Sequence, residues 1–163
     1  MHLKFSGAPE VHAPRTKVWS LLTDPHFVAG NGPGVQSVEV IDPTHFKVIS
    51  GFGVGSIKLV FVLDVELADL IPLVGFTMRT RGKVPGSAID VRAKVTLEDI
   101  DAGTRLNWEA DTEVSGTVAS IGARLLESTA RKLTEQFWND FAEAADAAAG
   151  PGKNLPQDTR RPS

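Results

Sequence analysis

A hydrophobic period of two dominates the middle of the chain, from about residue 35 to residue 114. In the run Ile57–Leu67 every second residue is apolar, and Lys58, Asp64 and Glu66 lie between them. Such alternation predicts antiparallel strands with one face on a core and the other in water. Turn-forming residues interrupt it where hairpins need them, at Asp42-Pro43, Gly53 to Gly55, Pro85-Gly86 and Asp101-Ala102-Gly103. We therefore predict about six antiparallel strands here.

A helical period replaces this alternation after Ser115-Gly116-Thr117 and continues to about Ala149, before Gly150-Pro151-Gly152. It predicts one amphipathic helix of about 45–50 Å. Its apolar stripe recurs at steps of three and four residues: Leu126, Ala130, Leu133, Phe137, Phe141 and Ala144, with Val118, Ile121 and Leu125 as a second line. Residues 150–163 are proline-rich and nearly free of apolar residues, so they are predicted to be a disordered tail following a domain at 1–149.

The first third of the chain predicts a strand within residues 2–12 and two short helices. Pro14 opens the first helix, and Asp24 caps the second, which starts at Pro25. The breaker cluster Asn31-Gly32-Pro33-Gly34 ends the second helix. The fold class is therefore α+β, with a curved antiparallel sheet of about seven strands and a long C-terminal helix. One helix across a wide curved sheet need not fill its concavity, so we predict an internal hydrophobic cavity.

Composition excludes several function classes. The chain has 163 residues, a formal net charge of −3 and no cysteine. Without excess positive charge no nucleic-acid partner is expected, and without cysteine there are no disulfides and no thiolate chemistry. The first residues lack the apolar segment of a signal peptide, and no apolar run is long enough to span a bilayer, so we expect a cytoplasmic protein.

The chemistry-bearing residues do not form a recognisable active site. The four histidines lack the spacing of metal ligands, so no metal site is predicted. The inward-facing strand positions are almost wholly apolar, and the polar ones are Ser50, Thr80 and Thr112, whose hydroxyls are weak acids and bases. We therefore predict no catalytic residues and a protein that is not an enzyme, while related folds keep an enzymatic alternative open.

Two sets of residues are candidates for contact with a ligand or a membrane. Those predicted to line the cavity are Phe46, Phe61, Val65, Phe76, Met78, Val95, Trp108, Ile121 and Leu125. Those predicted at its rim, to gate the cavity or to contact a membrane, are Phe27, Val28, Pro33 and Gly34. The alternative is ordinary core packing for the first set and a loop packed on its own domain for the second.

Several longer stretches resemble a known family from about residue 3 to residue 145. Near the start these are Val11-His12-Ala13-Pro14-Arg15, Val18-Trp19, Leu22, Asp24-Pro25 and Pro33-Gly34. Further on they are Gly55-Ser56-Ile57-Lys58, Gly103-Thr104-Arg105-Leu106, Trp108-Glu109-Ala110, Val114-Ser115-Gly116, Ala119, Ile121-Gly122, Arg124-Leu125, Ala130-Arg131-Lys132-Leu133, Phe137-Trp138 and Phe141. The chain resembles the CoxG family of carbon monoxide dehydrogenase subunits, within the START-like (SRPBCC) superfamily.

The resemblance implies a helix-grip fold and a non-enzymatic role. It implies a hydrophobic ligand, a quinone or a lipid, and no covalent cofactor. It also implies association with a molybdenum-containing CO dehydrogenase or a related hydroxylase and recruitment of that enzyme to the cytoplasmic membrane, which would place the protein peripherally on the inner face. The alternative is a polyketide-cyclase-like or hydrolase-like enzyme that uses the same cavity.

Overall fold

Eight strands and three α-helices form the part of the chain that this computed structural model describes, residues 1–149. The predicted tail, 150–163, lies outside the described residues. The strands are β1 His2–Gly7, β2 Glu10–Val11, β3 Val35–Asp42, β4 His45–Val54, β5 Ile57–Ile71, β6 Gly75–Val84, β7 Ser87–Ile100 and β8 Gly103–Gly116. The helices are α1 Arg15–Leu22, α2 Pro25–Gly30 and α3 Ala123–Ala149, with a 3₁₀ turn at Thr117–Ile121.

The sheet is antiparallel throughout, with the strand order β1-β8-β7-β6-β5-β4-β3. This confirms the predicted α+β fold with a curved antiparallel sheet and a long C-terminal helix. The seven-strand path also carries β2, a two-residue strand that pairs with β8 beyond the end of β1. The single strand predicted within residues 2–12 is thus divided at Ala8-Pro9, since proline has no N–H to donate to a ladder.

The short helices begin where the sequence predicts. The side chain of Asp24 caps α2 by accepting hydrogen bonds from the backbone N–H groups of His26 (3.0 Å) and Phe27 (3.4 Å). The long helix begins later than predicted, at Ala123, because Gly122 has φ +104°, a left-handed conformation that ends the preceding 3₁₀ turn. The helix is 27 residues long.

The buried core is divided into three clusters. The first joins α1 to the C-terminal half of α3, where Phe141 and Ala145 are fully buried. The second lies at the opposite end of α3, around Val118 and Leu126. The third lies under β3, β4 and β5, around Phe46. Helix α3 is therefore packed near both of its ends, by different parts of the chain.

Two polar contacts secure the strand ends. The hydroxyl of Thr104, fully buried, donates to the carbonyl oxygen of Ala13 at 2.8 Å and holds the start of β8 to the segment before α1. His45 lies between two carboxylates at the β3–β4 turn, with Nδ1 3.1 Å from Asp42 and Nε2 3.2 Å from Glu66. The hydrogen bond with Asp42 raises the pKa of His45, and the charges of both carboxylates act in the same direction.

Candidate functional site

The floor of the concave face is built from small side chains. Ala93 pairs with Ala110 across β7 and β8, and beside them Thr80, Val91 and Thr112 form the next row across β6, β7 and β8. Small residues at the centre of a concave sheet do not reach a helix that crosses it. The centre of the sheet is therefore where space between sheet and helix is expected.

The middle of α3 is less buried than its two ends. Ala130 and Leu133 lie on the helix stripe between Leu126 and Phe141, yet both are only partly buried. Within residues 1–149, neither packs against any of the three core clusters, and the same is true of Ala110 on the floor. The middle of α3 and Ala110 therefore contribute less to the three core clusters than the two ends of α3 do.

An opening lies on the β1 side of α3. It has a volume of about 420 Å³ and lies between β1, β8 and α3. Its apolar wall comes from Phe5, Gly7, Pro9, Trp108 and Trp138. Its polar residues are Ser6, Arg131, Thr134, Glu135 and Asn139. This volume lies in the lower part of the range for small-molecule sites, about 300–1,000 Å³.

Two indole rings dominate the wall of this opening. Trp108 and Trp138 are stacked with centroids 6.5 Å apart and planes at 28°. Gly7 pairs with Trp108 in the β1–β8 ladder, and a Cβ atom at Gly7 would lie 2.8 Å from Trp108 Nε1. The indole of Trp108 therefore lies against the backbone of the edge strand, in space that only a glycine leaves.

A second opening lies on the other side of α3, with a volume of about 430 Å³. It is formed by residues 30–34, between α2 and β3, and by the polar side of α3. The helix residues are Gln136, Asp140, Glu143, Ala144 and Ala147. Two of the predicted rim residues, Pro33 and Gly34, line this opening. Its lining is more polar than that of the opening beside β1.

The other two predicted rim residues are partly buried and pack against the first core cluster. Phe27 packs edge-to-face on Phe141, with centroids 5.6 Å apart, and Val28 packs against the same cluster. Exposed aliphatic side chains lie elsewhere, and one group of them is at the end of β5 and in the turn that follows. There Leu70 is 37% exposed and Ile71 is 59% exposed.

The predicted lining residues are spread over the three clusters and the openings. Phe46 and Val65 lie in the third cluster, Phe76 and Val95 lie in the first, and Met78 packs against both. All five face the interior from β4 to β7. Because they belong to different clusters, they do not form one continuous ligand contact surface.

The remaining four lie at three different places. Phe61 is 1% exposed and stacks on Phe52 with centroids 5.1 Å apart, and Ile121 packs against the second cluster. Trp108 lines the opening beside β1. Leu125 is 39% exposed, and its side chain lies near Gly55 at the β4–β5 turn. The structure therefore does not bring Leu125 to the interior.

Four residues of the apolar wall of the β1 opening were not among the predicted lining residues: Phe5, Gly7, Pro9 and Trp138. Phe5 was recognised only as part of a strand, and Trp138 lies one residue outside the helix stripe that contains Phe137. The usable signal was the glycine in the edge strand, because an interior-facing glycine leaves room for a large side chain on the neighbouring strand.

The polar residues of the core carry hydroxyl groups. In residues 1–149 the buried polar side chains are Ser50, Thr104 and Thr112. Ser50 donates to the carbonyl oxygen of Pro33 at 2.7 Å, so its hydroxyl helps position the second opening. Within the same range no group of three or more histidine, aspartate or glutamate side chains is arranged to hold a metal ion. No described helix combines the length and apolarity that a membrane span requires.

Comparison with known proteins identifies a family and a fold. The CoxG family of carbon monoxide dehydrogenase subunits matches residues 7–146. No curated protein matches the chain significantly. A conserved protein from Geobacillus kaustophilus has a similar structure, with a TM-score of 0.83, 24% identity, and coverage of 91% of this chain and 98% of that one.

A second solved structure is an aromatase/cyclase, ZhuI from Streptomyces sp. R1128. It has a TM-score of 0.68 and 16% identity, and the match covers 95% of this chain and 99% of that one. A third is TTHA0849 from Thermus thermophilus, with a TM-score of 0.64, 15% identity, and coverage of 92% and 100%. At these identities the likeness establishes the fold alone.

Proposed function

This chain belongs to the CoxG family of carbon monoxide dehydrogenase subunits, and from that premise we propose that it is an accessory protein that holds a hydrophobic molecule. The ligand is a quinone or a lipid, bound between the concave sheet and α3. In this proposal the protein has no catalytic step of its own. It recruits a molybdenum-containing CO dehydrogenase or a related hydroxylase to the membrane, as a peripheral protein on its inner face.

One observation carries the ligand-binding part of the proposal. The apolar stripe of α3 packs near Leu126 and Phe141, but between them Ala130 and Leu133 belong to no core cluster within the described residues. Unpaired apolar surface inside a domain loses its dispersion partners and remains a site for an apolar ligand. An opening of about 420 Å³ lies next to this segment, between β1, β8 and α3.

The chemistry of the interior supports a binding role over a catalytic one. The buried polar side chains in residues 1–149 are three hydroxyls, of Ser50, Thr104 and Thr112. Those of Ser50 and Thr104 already donate to backbone carbonyl oxygens. General acid–base catalysis near neutral pH needs a group with a suitable pKa, which an aliphatic hydroxyl does not have.

Native mass spectrometry tests the binding role. The purified protein should retain a hydrophobic molecule that organic extraction releases, or should take one up from added quinone or fatty acid. Ala130→Trp fills the space between α3 and the sheet and should abolish retention. Ser128→Trp, which places the same side chain at an exposed helix position, should not. Retention by neither the parent protein nor the Ser128→Trp variant would refute the proposal.

Vesicle flotation tests the recruitment role. Vesicles of phosphatidylethanolamine and phosphatidylglycerol should carry a purified molybdenum CO dehydrogenase upward in a density gradient only when this protein is present. An enzyme that floats equally well alone, or that stays at the bottom in both cases, would contradict recruitment and leave the binding role to be judged by mass spectrometry.

A further inference from the structure

The turn between β5 and β6 exposes a run of apolar residues. This segment, Leu70 to Val74, is called the β5–β6 tip below, and its sequence is Leu-Ile-Pro-Leu-Val. Its four aliphatic side chains are all exposed, and that of Ile71 is the most exposed of them. The pairing of β5 with β4 ends at Glu66, so on this side of the sheet Ile71 projects about 15 Å beyond the last pair. A contiguous apolar surface on a projecting turn indicates a contact site.

The backbone of the tip is strained. Within residues 1–149, Asp69 and Leu73 are the only residues other than glycine with a positive φ, at 52° and 66°. Aspartate tolerates this left-handed conformation, but a bulky leucine adopts it at an energetic cost. The side chain of Leu73 is exposed, so packing in the core does not offset that cost. Strain of this kind is concentrated at functional sites.

Several polar backbone groups of the tip are already paired within the protein. Nη1 of Arg15 donates a hydrogen bond to the carbonyl oxygen of Leu73 at 2.9 Å. The backbone N–H of Leu97 donates to the carbonyl oxygen of Val74 at 2.8 Å, and the N–H of Val74 donates to that of Ile71 at 2.9 Å. The proline of the tip has no N–H to satisfy. Internal pairing is what an apolar phase demands of a backbone, because that phase supplies no hydrogen bonds.

The charges beside the tip do not form a cationic patch. The tip itself contains no charged residue. Asp69 precedes it, and Arg15, which contacts it, has its Nε 2.9 Å from a carboxylate oxygen of Asp99. Attraction to anionic lipid depends on several lysine or arginine side chains near the membrane surface. Contact made by this tip would therefore depend on the burial of apolar side chains and not on lipid charge.

From these features we propose that the β5–β6 tip inserts into the apolar boundary of a lipid bilayer, and that this contact does not require anionic lipid. The inference rests on the proposed function, to which it adds the surface that touches the membrane. A projecting apolar turn with paired backbone groups suits a fluid apolar phase. Arg15 holds the turn in its strained shape from the protein side.

A fluorescent label at two positions tests the insertion. The chain has no cysteine, so Ile71→Cys and Ile57→Cys each carry one nitrobenzoxadiazole label, whose emission rises in an apolar environment. Ile57 is the matched control, because it is 47% exposed and begins the strand that Ile71 ends. Phosphatidylcholine vesicles should raise the emission severalfold for the label at Ile71 and leave it unchanged for the label at Ile57. No rise for either label, or an equal rise for both, would overturn the inference.

Vesicle flotation of the unlabelled protein measures what the tip contributes. Ile71→Ser should lower the partition coefficient about five- to twentyfold, since rather more than half of an isoleucine side chain would no longer be buried in lipid. Ile57→Ser should leave it unchanged. Leu73→Gly should weaken flotation without lowering the free energy of unfolding, because glycine adopts the positive φ without steric cost.

Lipid charge and salt test the second half of the inference. Vesicles of phosphatidylcholine alone, and with added phosphatidylglycerol, should bind the parent protein alike at low and high salt. A protein that floats only with phosphatidylglycerol, or that is released by salt, would overturn the inference.

The outcomes separate this inference from the proposed function. If Ile71→Ser retains a hydrophobic molecule and carries CO dehydrogenase to vesicles as well as the parent protein does, the tip is overturned and the proposed function stands. If Ile71→Ser loses binding to purified CO dehydrogenase in the absence of lipid, the tip contacts the enzyme and insertion is overturned. If the label at Ile71 reports insertion in a protein that retains no hydrophobic molecule, the inference stands and the binding role fails.

Discussion

Replacing Ala110 by leucine would measure the space between sheet and helix. Ala110 lies on the concave face of β8, paired with Ala93 on β7 and with Phe5 on β1. It is partly buried although it faces the interior. A leucine there adds three carbon atoms, whose burial contributes about 2.4 kcal/mol at about 0.8 kcal/mol each. Fixing the leucine side chain costs about 0.5–1 kcal/mol.

The expected result is therefore a gain in the free energy of unfolding of about 1–2 kcal/mol for Ala110→Leu, measured by urea denaturation of ligand-free protein. The same variant should retain less hydrophobic ligand, because its side chain occupies the ligand's space. Ala145→Leu is the matched control. Ala145 is fully buried beside Phe141, so extra volume there should destabilise the protein by about 1–3 kcal/mol.

The reasoning fails if Ala110→Leu destabilises the protein as much as Ala145→Leu does. That result would mean that α3 packs directly on the floor of the sheet in solution. A stabilised variant that still retains a full complement of ligand would locate the ligand elsewhere, in the opening that Pro33 and Gly34 line.

Two further predictions concern the polar contacts of the strand ends. Thr104→Val should lower the free energy of unfolding by about 1–3 kcal/mol, because the buried carbonyl oxygen of Ala13 loses its donor. His45→Gln should lower stability more at pH 5.5 than at pH 8.5. The folded-state pKa of His45 is raised above 6.5 by its hydrogen bond with Asp42, so its contribution is complete below about pH 6.5 and is lost as pH rises through the raised pKa.

The threonine prediction has a control on the same sheet. Thr96→Val removes a longer contact, 3.4 Å to the carbonyl oxygen of Asn107 at a partly exposed position, and should cost less than Thr104→Val. Equal costs would mean that burial does not determine the penalty. For the histidine, unfolding free energies of parent and variant that run parallel from pH 5.5 to pH 8.5 would show that His45 does not titrate with folding.

The strands and helices could be predicted from the sequence because the patterns that indicate them depend on residues close together in the chain. Alternation along β5 depends only on side chains that point to opposite faces of a strand, and the start of α2 depends only on Asp24 and Pro25. The contact between Gly7 and Trp108 depends on strand register across most of the chain length, which no local pattern records. The sequence therefore identified Trp108 as a candidate but not the glycine that accommodates it.

The position of Leu125 shows how a small local error moves a predicted site residue. Val118, Ile121 and Leu125 share one face only if the chain is α-helical through all of them. The 3₁₀ turn Thr117–Ile121 and the left-handed Gly122 change the phase before α3 begins. Leu126 becomes the buried residue and Leu125 turns outward.

The support of α3 at two separated points bears on how fast a ligand is exchanged. Leu126 and Phe141 are about 22 Å apart along the helix axis, and each lies in its own cluster. An outward curvature of the segment between them widens the opening beside β1 without disrupting either cluster. We therefore expect ligand release to be much faster than global unfolding, and to keep that advantage in denaturant concentrations that leave both clusters folded.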